Sequence, residues 1–263
     1  MEKLFLPKTV EHQEDKENKN RGTVIITPCY PGYGTTLGNA LRRVLLSSLG
    51  GTAIDAVKIK GARHEFSTLS GVKEDLLEIV FNLKAVRLKS KIELTEPLEL
   101  ELSSQGEGAA KAGDIKKGAE IEIINPDLVI AHLTDKKSSL GMKIWVTTGY
   151  GWVGADEKLR EGREEGLIII DSLFSPIRRV AMNIENIRVG KRNDYEKLSL
   201  SIETDGTISS LEAFLKAASL LNEEFAFLTR EGEKLVEKEK PVVEKPSKKV
   251  AKTRKTKKKD KRK

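Results

Sequence analysis

Between a β-type run, Thr23-Val24-Ile25-Ile26-Thr27, and a glycine pair at 50–51 lies the segment that most restricts how this chain can fold, residues 33–48. At helical spacing Leu37, Ala40, Leu41, Val44, Leu45 and Ser48 share one face, a stripe wide enough to lie on a sheet. Asn39, Arg42, Arg43 and Leu46 point the other way. Two arginines on a helix can serve solubility alone. Leu46 among them is out of place on a solvent face, and an arginine beside an apolar anchor is what protein contacts favour. The helix is therefore expected to serve two surfaces, its own core and a partner. Gly50-Gly51 is expected to end it with a left-handed cap.

The remaining pattern is helix-poor. Leu4-Phe5-Leu6-Pro7 can pair as an edge strand, and the charge run 11–19 that follows is expected to be a solvated loop. A strand covers Ala53, Val57 and Ile59. A second helix follows, with Ser70 as its cap and Val72, Leu76, Ile79, Val80 and Leu83 as its stripe. Strands are expected at 86–94, 98–102, 121–124, 128–133 and 142–148, punctuated by Pro97, Gly106, Gly108, Gly113, Gly118 and Pro126. Val180, Met182 and Ile184 alternate, as do Leu198, Leu200 and Ile202, the mark of half-buried antiparallel strands. Ser209-x-x-Glu212 opens the last helix as a capping box. There Phe214, Ala218, Leu221, Phe225 and Leu228 repeat at four-three spacing, while Leu220 and Phe227 lie opposite. A helix apolar on two faces must be covered on both, and a second copy of the chain is the natural cover for one.

Several of these motifs also resemble a known family. Gly34-Thr35-Thr36-Leu37-Gly38-Asn39-Ala40-Leu41-Arg42-Arg43-Val44-Leu45-Leu46-Ser47-Ser48 is similar to the first helix of bacterial RNA polymerase α subunits. His64-Glu65-Phe66-Ser67-Thr68, Gly71-Val72-Lys73-Glu74-Asp75-Leu76-Leu77-Glu78-Ile79 and Asn82-Leu83-Lys84 match the same family in the same order. Weaker echoes follow at Ala131-His132-Leu133-Thr134, Ser175-Pro176 and Asp205-Gly206-Thr207-Ile208, so the resemblance runs from about residue 20 to 230.

The resemblance implies an α+β chain: a discontinuous dimerisation domain, antiparallel sheet plus two long helices, at 1–50 and 173–232, with a mostly-β domain inserted at 51–172. It implies a non-catalytic homodimeric scaffold that nucleates assembly of the β and β′ subunits, with ω and sigma in the full enzyme. Asn39, Arg42, Arg43, Leu46, Lys84 and Arg179 then fall on the surface that meets the large subunits, Lys84 and Arg179 being open to reading as plain surface charge. Leu220, Leu221, Phe225, Phe227 and Leu228 fall in the dimer seam. Family members continue through a linker into a small helical DNA-binding domain, and no such pattern follows here.

Charge separates the tail from the rest. The formal charge is +7, yet residues 241–263 hold 12 Lys or Arg against 2 Asp or Glu, leaving the remainder near −3. Residues 233–263 are accordingly expected to be disordered, and nonspecific DNA contact to reside there. Comparing the salt dependence of DNA binding with and without this stretch would test it. Cys29 is the only cysteine and fits a reducing cytoplasm, and no apolar run is long enough to cross a membrane.

Enzymatic readings find little support. Gly32-Tyr33-Gly34-x-x-x-Gly38 imitates a dinucleotide loop, with Asp55 at a suitable distance for a ribose, but its third glycine is displaced by one and no βαβ series follows. His12, His64 and His132 have no metal spacing. His64 and Glu65 point to opposite sides of an extended segment, so they share no site. No catalytic residue, cofactor or metal is expected in the chain.

Overall fold

The computed structural model describes residues 6–62, 64–158 and 166–239. Strands β1 (Thr9–Glu14) and β2 (Arg21–Cys29) precede helix α1 (Tyr33–Ser47), strand β3 (Gly50–Ile59) and helix α2 (Leu76–Lys84). There follow β4 (Leu88–Ser90), β5 (Leu98–Gln105), β6 (Gly108–Lys111), a 3-10 turn, β7 (Ile115–Lys116), β8 (Ile121–Ile123), β9 (Val129–Leu133) and β10 (Ser139–Tyr150). The chain closes with β11 (Trp152–Val153), β12 (Leu167–Ile169), β13 (Ser172–Leu173), β14 (Ile177–Val189), β15 (Arg192–Thr204) and α3 (Ser210–Glu239). It is an α+β chain, and among the described residues every strand pair is antiparallel.

Two sheets carry two cores. The four-stranded sheet runs β1-β2-β15-β14. Its alternating Leu198, Leu200 and Ile202 are fully buried with Val24, Leu41, Leu45, Ala213 and Ala217. The larger sheet runs β7-β5-β10-β3-β4-β8, with β12 also paired to β3. Its inner face, with Leu102, Ile144 and Val57, packs on Leu76, Ile79 and Leu83 of α2. The buried residues of the second core run from Ile54 to Ile170; those of the first lie up to Leu49 and from Ile177 on.

Three local readings are corrected. β1 begins at Thr9, so half of the charge run is strand, not loop; its register sets Glu11 against Ile25 and His12 against Val24. At a sheet edge the backbone pairs on one side while charged side chains keep water, which also discourages further pairing. The exposed Leu6 precedes it, and Leu4 and Phe5 lie outside the described residues.

α1 ends at Ser47, and its C-cap Ser48 lies in right-handed backbone, donating its N–H to Val44 O. Gly50 and Gly51 open β3 instead of capping the helix. They serve close approach: a Cβ on Gly51 would stand 1.9 Å from Phe174 O.

The second helix starts at Leu76, capped by Asp75, whose Oδ1 accepts from Glu78 N at 2.8 Å. Ser70 is not its cap, and Val72 bridges Leu133. The cause is Glu74: its carboxylate accepts from both the main chain and the ring of His132, holding residues 71–74 against β9 until Asp75 frees the backbone to coil.

The last helix starts as expected, Ser209 Oγ accepting from Glu212 N at 3.1 Å. It continues to Glu239, into the stretch 233–263 expected to be disordered, while residues 240–263 lie outside the described residues. The chain divides into two compact units, one to Asn222 and one from Glu223, the second containing the later half of this helix. Among the described residues no helix is long and apolar enough to cross a membrane.

Candidate functional site

Good helix formers fill mainly the second half of α1, and the helix has no side-chain cap of its own. The missing acceptor comes from β15: the Glu196 carboxylate takes the N–H of Gly32 at 2.9 Å and of Gly34 at 2.8 Å. A carboxylate there satisfies orphan donors and complements the positive end of the helix dipole. Gly38 lets the helix settle onto the sheet, since a Cβ would stand 2.3 Å from Met182 Sδ and 3.0 Å from Leu198 Cδ1. Leu45, wholly buried beneath it, contributes about 2 kcal/mol by leaving water. One face of α1 is thus fixed by Glu196, Gly38 and its leucines.

The other face is open. Asn39, Arg42 and Arg43 are exposed, and Leu46 keeps 40% of its surface in water. Among the described residues neither guanidinium makes a hydrogen bond or ion pair. Ser47 Oγ donates to Arg43 O at 2.8 Å, closing the last turn beneath the pair. Two unpaired planar cations beside an exposed leucine can grip partner carboxylates or carbonyls around an apolar contact.

A second patch forms on the larger sheet. Lys84, in the last turn of α2, donates to Asp171 Oδ2 at 2.6 Å, and its ammonium lies 5.4 Å from the Phe81 ring. Asp171 also accepts from Ala155 N at 2.9 Å. The Lys84 bond first, then the Ala155 bond, hold its carboxyl below the usual carboxylate range. Phe81, Leu173 and Trp152 are exposed nearby, Trp152 standing opposite Leu173 in the β11–β13 pair. Arg179 is exposed on β14. Among the described residues no hydrogen bond, ion pair or ring contact links Lys84 or Arg179 to the four residues on α1.

On α3, Leu220 and Leu221 are half-buried against the first core. Phe225, Phe227 and Leu228 are 61%, 52% and 60% exposed.

Sequence reasoning missed several polar side chains. Lys158 is only 7% exposed, pairs with Asp55 Oδ1 at 2.9 Å, and donates to Ser172 Oγ at 2.7 Å and to Ile170 O. No local signal marks it, because its partners come from segments far along the chain. Phe81 was findable, since it and Leu77 sit four apart and off the buried stripe. Both hints of a dinucleotide site have protein partners: Glu196 fills the α1 N-terminus, and Asp55 belongs to Lys158. His64 accepts or donates at Ser67 Oγ, 3.2 Å away, on the surface. No group of three or more metal-ligating side chains occurs among the described residues.

Against known proteins, the family model for the RNA polymerase Rpb3/RpoA insert domain matches residues 57–175, which places the chain in the class of multisubunit RNA polymerase components. The DNA-directed RNA polymerase subunit alpha of Desulfitobacterium hafniense (strain DSM 10664 / DCB-2) is 46% identical over 214 residues, 81% of this chain and 67% of that one. Its counterpart from Moorella thermoacetica is 46% identical over 213 residues, 81% of this chain and 66% of its own. That from Oceanobacillus iheyensis is 43% identical over 242 residues, 90% and 76%. The chain belongs to the bacterial RNA polymerase α subunit family. It spans about two thirds of the length of the first two of these relatives and serves as part of a nucleotidyltransferase complex.

Proposed function

We propose that the chain acts as a homodimeric, non-catalytic scaffold on which the large β and β′ subunits assemble, in the cytoplasm where transcription occurs. The observation that carries this is the division of α1: one face is clamped to the sheet, and the other offers Asn39, Arg42, Arg43 and Leu46, with no partner for either arginine among the described residues. The residues around the first core form the dimerisation domain, 1–50 with 173–232, and those around the second form the inserted domain, 51–172. Leu220, Leu221, Phe225, Phe227 and Leu228 form the seam between copies, which accounts for three large apolar side chains lying mostly in water. Lys84 and Arg179 extend the docking surface for the large subunits. Lys84 enters it as one half of the Asp171 pair, which fixes its position.

Arg43→Ala tests the reading. If Arg43 is an anchor, the variant dimer folds normally, within about 0.5 kcal/mol of wild type. It then loses about 2 kcal/mol of binding to the β subunit. Arg43→Lys recovers part of that, since the ammonium keeps the charge without the planar fork. Sedimentation and β-subunit capture at matched concentration decide the matter. A monomeric variant assigns Arg43 to the dimer seam, and a dimer with undiminished capture returns it to plain surface.

A further inference from the structure

Arg87 lies three residues beyond Lys84, between α2 and β4, at the junction of the two cores. Its backbone is fixed: its N–H donates to Asn125 Oδ1 at 2.8 Å, and its carbonyl accepts from Ile124 N at 2.9 Å. Its guanidinium is not. Nε is sealed from solvent with no hydrogen-bond partner, and no other nitrogen of that side chain bonds a described residue.

Two other segments converge there. Gly206 abuts Ile124, a Cβ on it falling 3.2 Å from Ile124 Cγ2, so the turn at Asp205 sits against the residue whose N–H bonds Arg87 O. Asp205 N donates in turn to Pro176 O at 2.9 Å, bringing in the start of β14 with its exposed Arg178. Asp205 does not neutralise Arg87 by contact. Its Oδ1 is taken by Thr207 N at 2.9 Å and Thr207 Oγ1 at 2.6 Å. Burial, most of all, pulls the Arg87 pKa below its ordinary value; Asp205 opposes this from a distance and Arg178 adds to it. A guanidinium stays charged in proteins regardless, so a half-buried planar cation stands there with its Nε sealed and unbonded among the described residues.

No described residue supplies an acceptor for that Nε. The crevice that Arg87 shares with Lys84, Asp171 and Leu173 holds about 10 Å³, the room of one water. The surroundings say what kind of molecule brings it. Asp171 is already paired with Lys84 and Asp205 stands close by, so the local surplus of positive charge is small and suits a single carboxylate better than a run of phosphates. Exposed Leu173 and Phe81 close by suit a protein surface better than a nucleic acid. We propose that Arg87 is a docking anchor for an acidic side chain presented by one of the large polymerase subunits, an inference that rests on the assembly reading above.

The proposal separates two quantities that a structural role would move together. Replacing an unpaired half-buried charge by an apolar side chain of similar length relieves desolvation. Arg87→Met should therefore leave the melting temperature of the free α protein unchanged or higher, while capture of the β and β′ subunits falls about tenfold or more. Arg87→Lys should restore only part of that capture. Stability and capture falling together would make Arg87 a structural residue and overturn the proposal. Undiminished capture by Arg87→Met, with capture lost by Arg43→Ala, would overturn it while leaving the assembly reading intact. Undiminished capture by both variants would overturn that reading and this one with it. A free anion is the remaining alternative. If inorganic phosphate raises the melting temperature of wild type but not of Arg87→Met, and capture is unchanged, the site takes a dissolved anion and the partner carboxylate is rejected.

Discussion

Both cores place a helix on an antiparallel sheet, but they differ in how completely the polar groups are satisfied. Around α2, Lys158 has Asp55, Ser172 and a main-chain carbonyl, Glu74 has His132, and Lys84 has Asp171. Around α1, the packed face is as tight, but Arg42 and Arg43 have no partner among the described residues, and Leu46 is wetted. A region whose charges find partners within the chain holds its shape alone. A region that leaves planar cations and apolar side chains unused has the surface expected of one completed by another chain. Arg87, at the junction, has the character of the second region although it adjoins the first.

The sharpest way to break this contrast is to remove the most buried cation of the self-contained region. Lys158→Met leaves the Asp55 carboxylate, 17% exposed, without its counter-charge and takes a donor from Ser172 and Ile170. Breaking a buried pair from one side costs about 3 kcal/mol or more, because the remaining ion stays desolvated. Denaturant unfolding should show that loss. A cost below about 1 kcal/mol would mean that Asp55 rehydrates easily and that the α2 region is less closed than its hydrogen bonds imply. Asp55→Asn combined with Lys158→Met should recover part of the stability, since neither charge is then stranded.

On the open side the expected pattern reverses. Phe225 is mostly in water in a single chain, so Phe225→Asp should leave the stability of the free chain within about 0.5 kcal/mol. If a second copy covers that residue, self-association weakens by about 2 kcal/mol or more, since a desolvated aromatic is replaced by an unpaired charge. Sedimentation across micromolar concentrations measures this. Unaltered self-association would take Phe225 out of the seam.

Much of this arrangement could be read along the chain because it rests on periodicity. The alternation at Leu198, Leu200 and Ile202 and the stripe at Leu41 and Leu45 are local, and both are buried as expected. Readings failed where a distant residue overruled a local signal. Ser70 is a good cap by its neighbours, yet Glu74 on His132 delays the helix to Leu76. Gly50-Gly51 is a good terminator by its neighbours, yet Phe174 needs the space. The exposed face of α1 could be read from helical spacing alone. Arg87 could not, since its unbonded Nε depends on how segments far apart in sequence come together.

The smallest expected effect tests the α2 region by pH. Glu74 is 8% exposed, and its two oxygens accept from His132 N at 2.7 Å and from His132 Nδ1 at 2.5 Å, so that nitrogen carries the proton. Burial pushes the Glu74 pKa up, but the ring and main-chain bonds from His132 together outweigh it, and the net displacement is downward. A carboxyl whose folded pKa lies below its unfolded one binds its proton more readily when unfolded. The resulting stability is therefore present in full above the usual glutamate range, and is lost as pH falls through the folded value. Glu74→Gln removes the charge while keeping the shape, and its amide can accept from only one of the two donors. At pH 7 the variant should be less stable than wild type by about 1 kcal/mol, and the gap should shrink as pH falls below the usual glutamate range. Paired denaturation curves above and below that range measure it. A gap that stays constant would show that Glu74 holds residues 71–74 through packing and amide-compatible bonds, with its charge contributing nothing. The α2 region would then owe its closure to shape more than to paired charge.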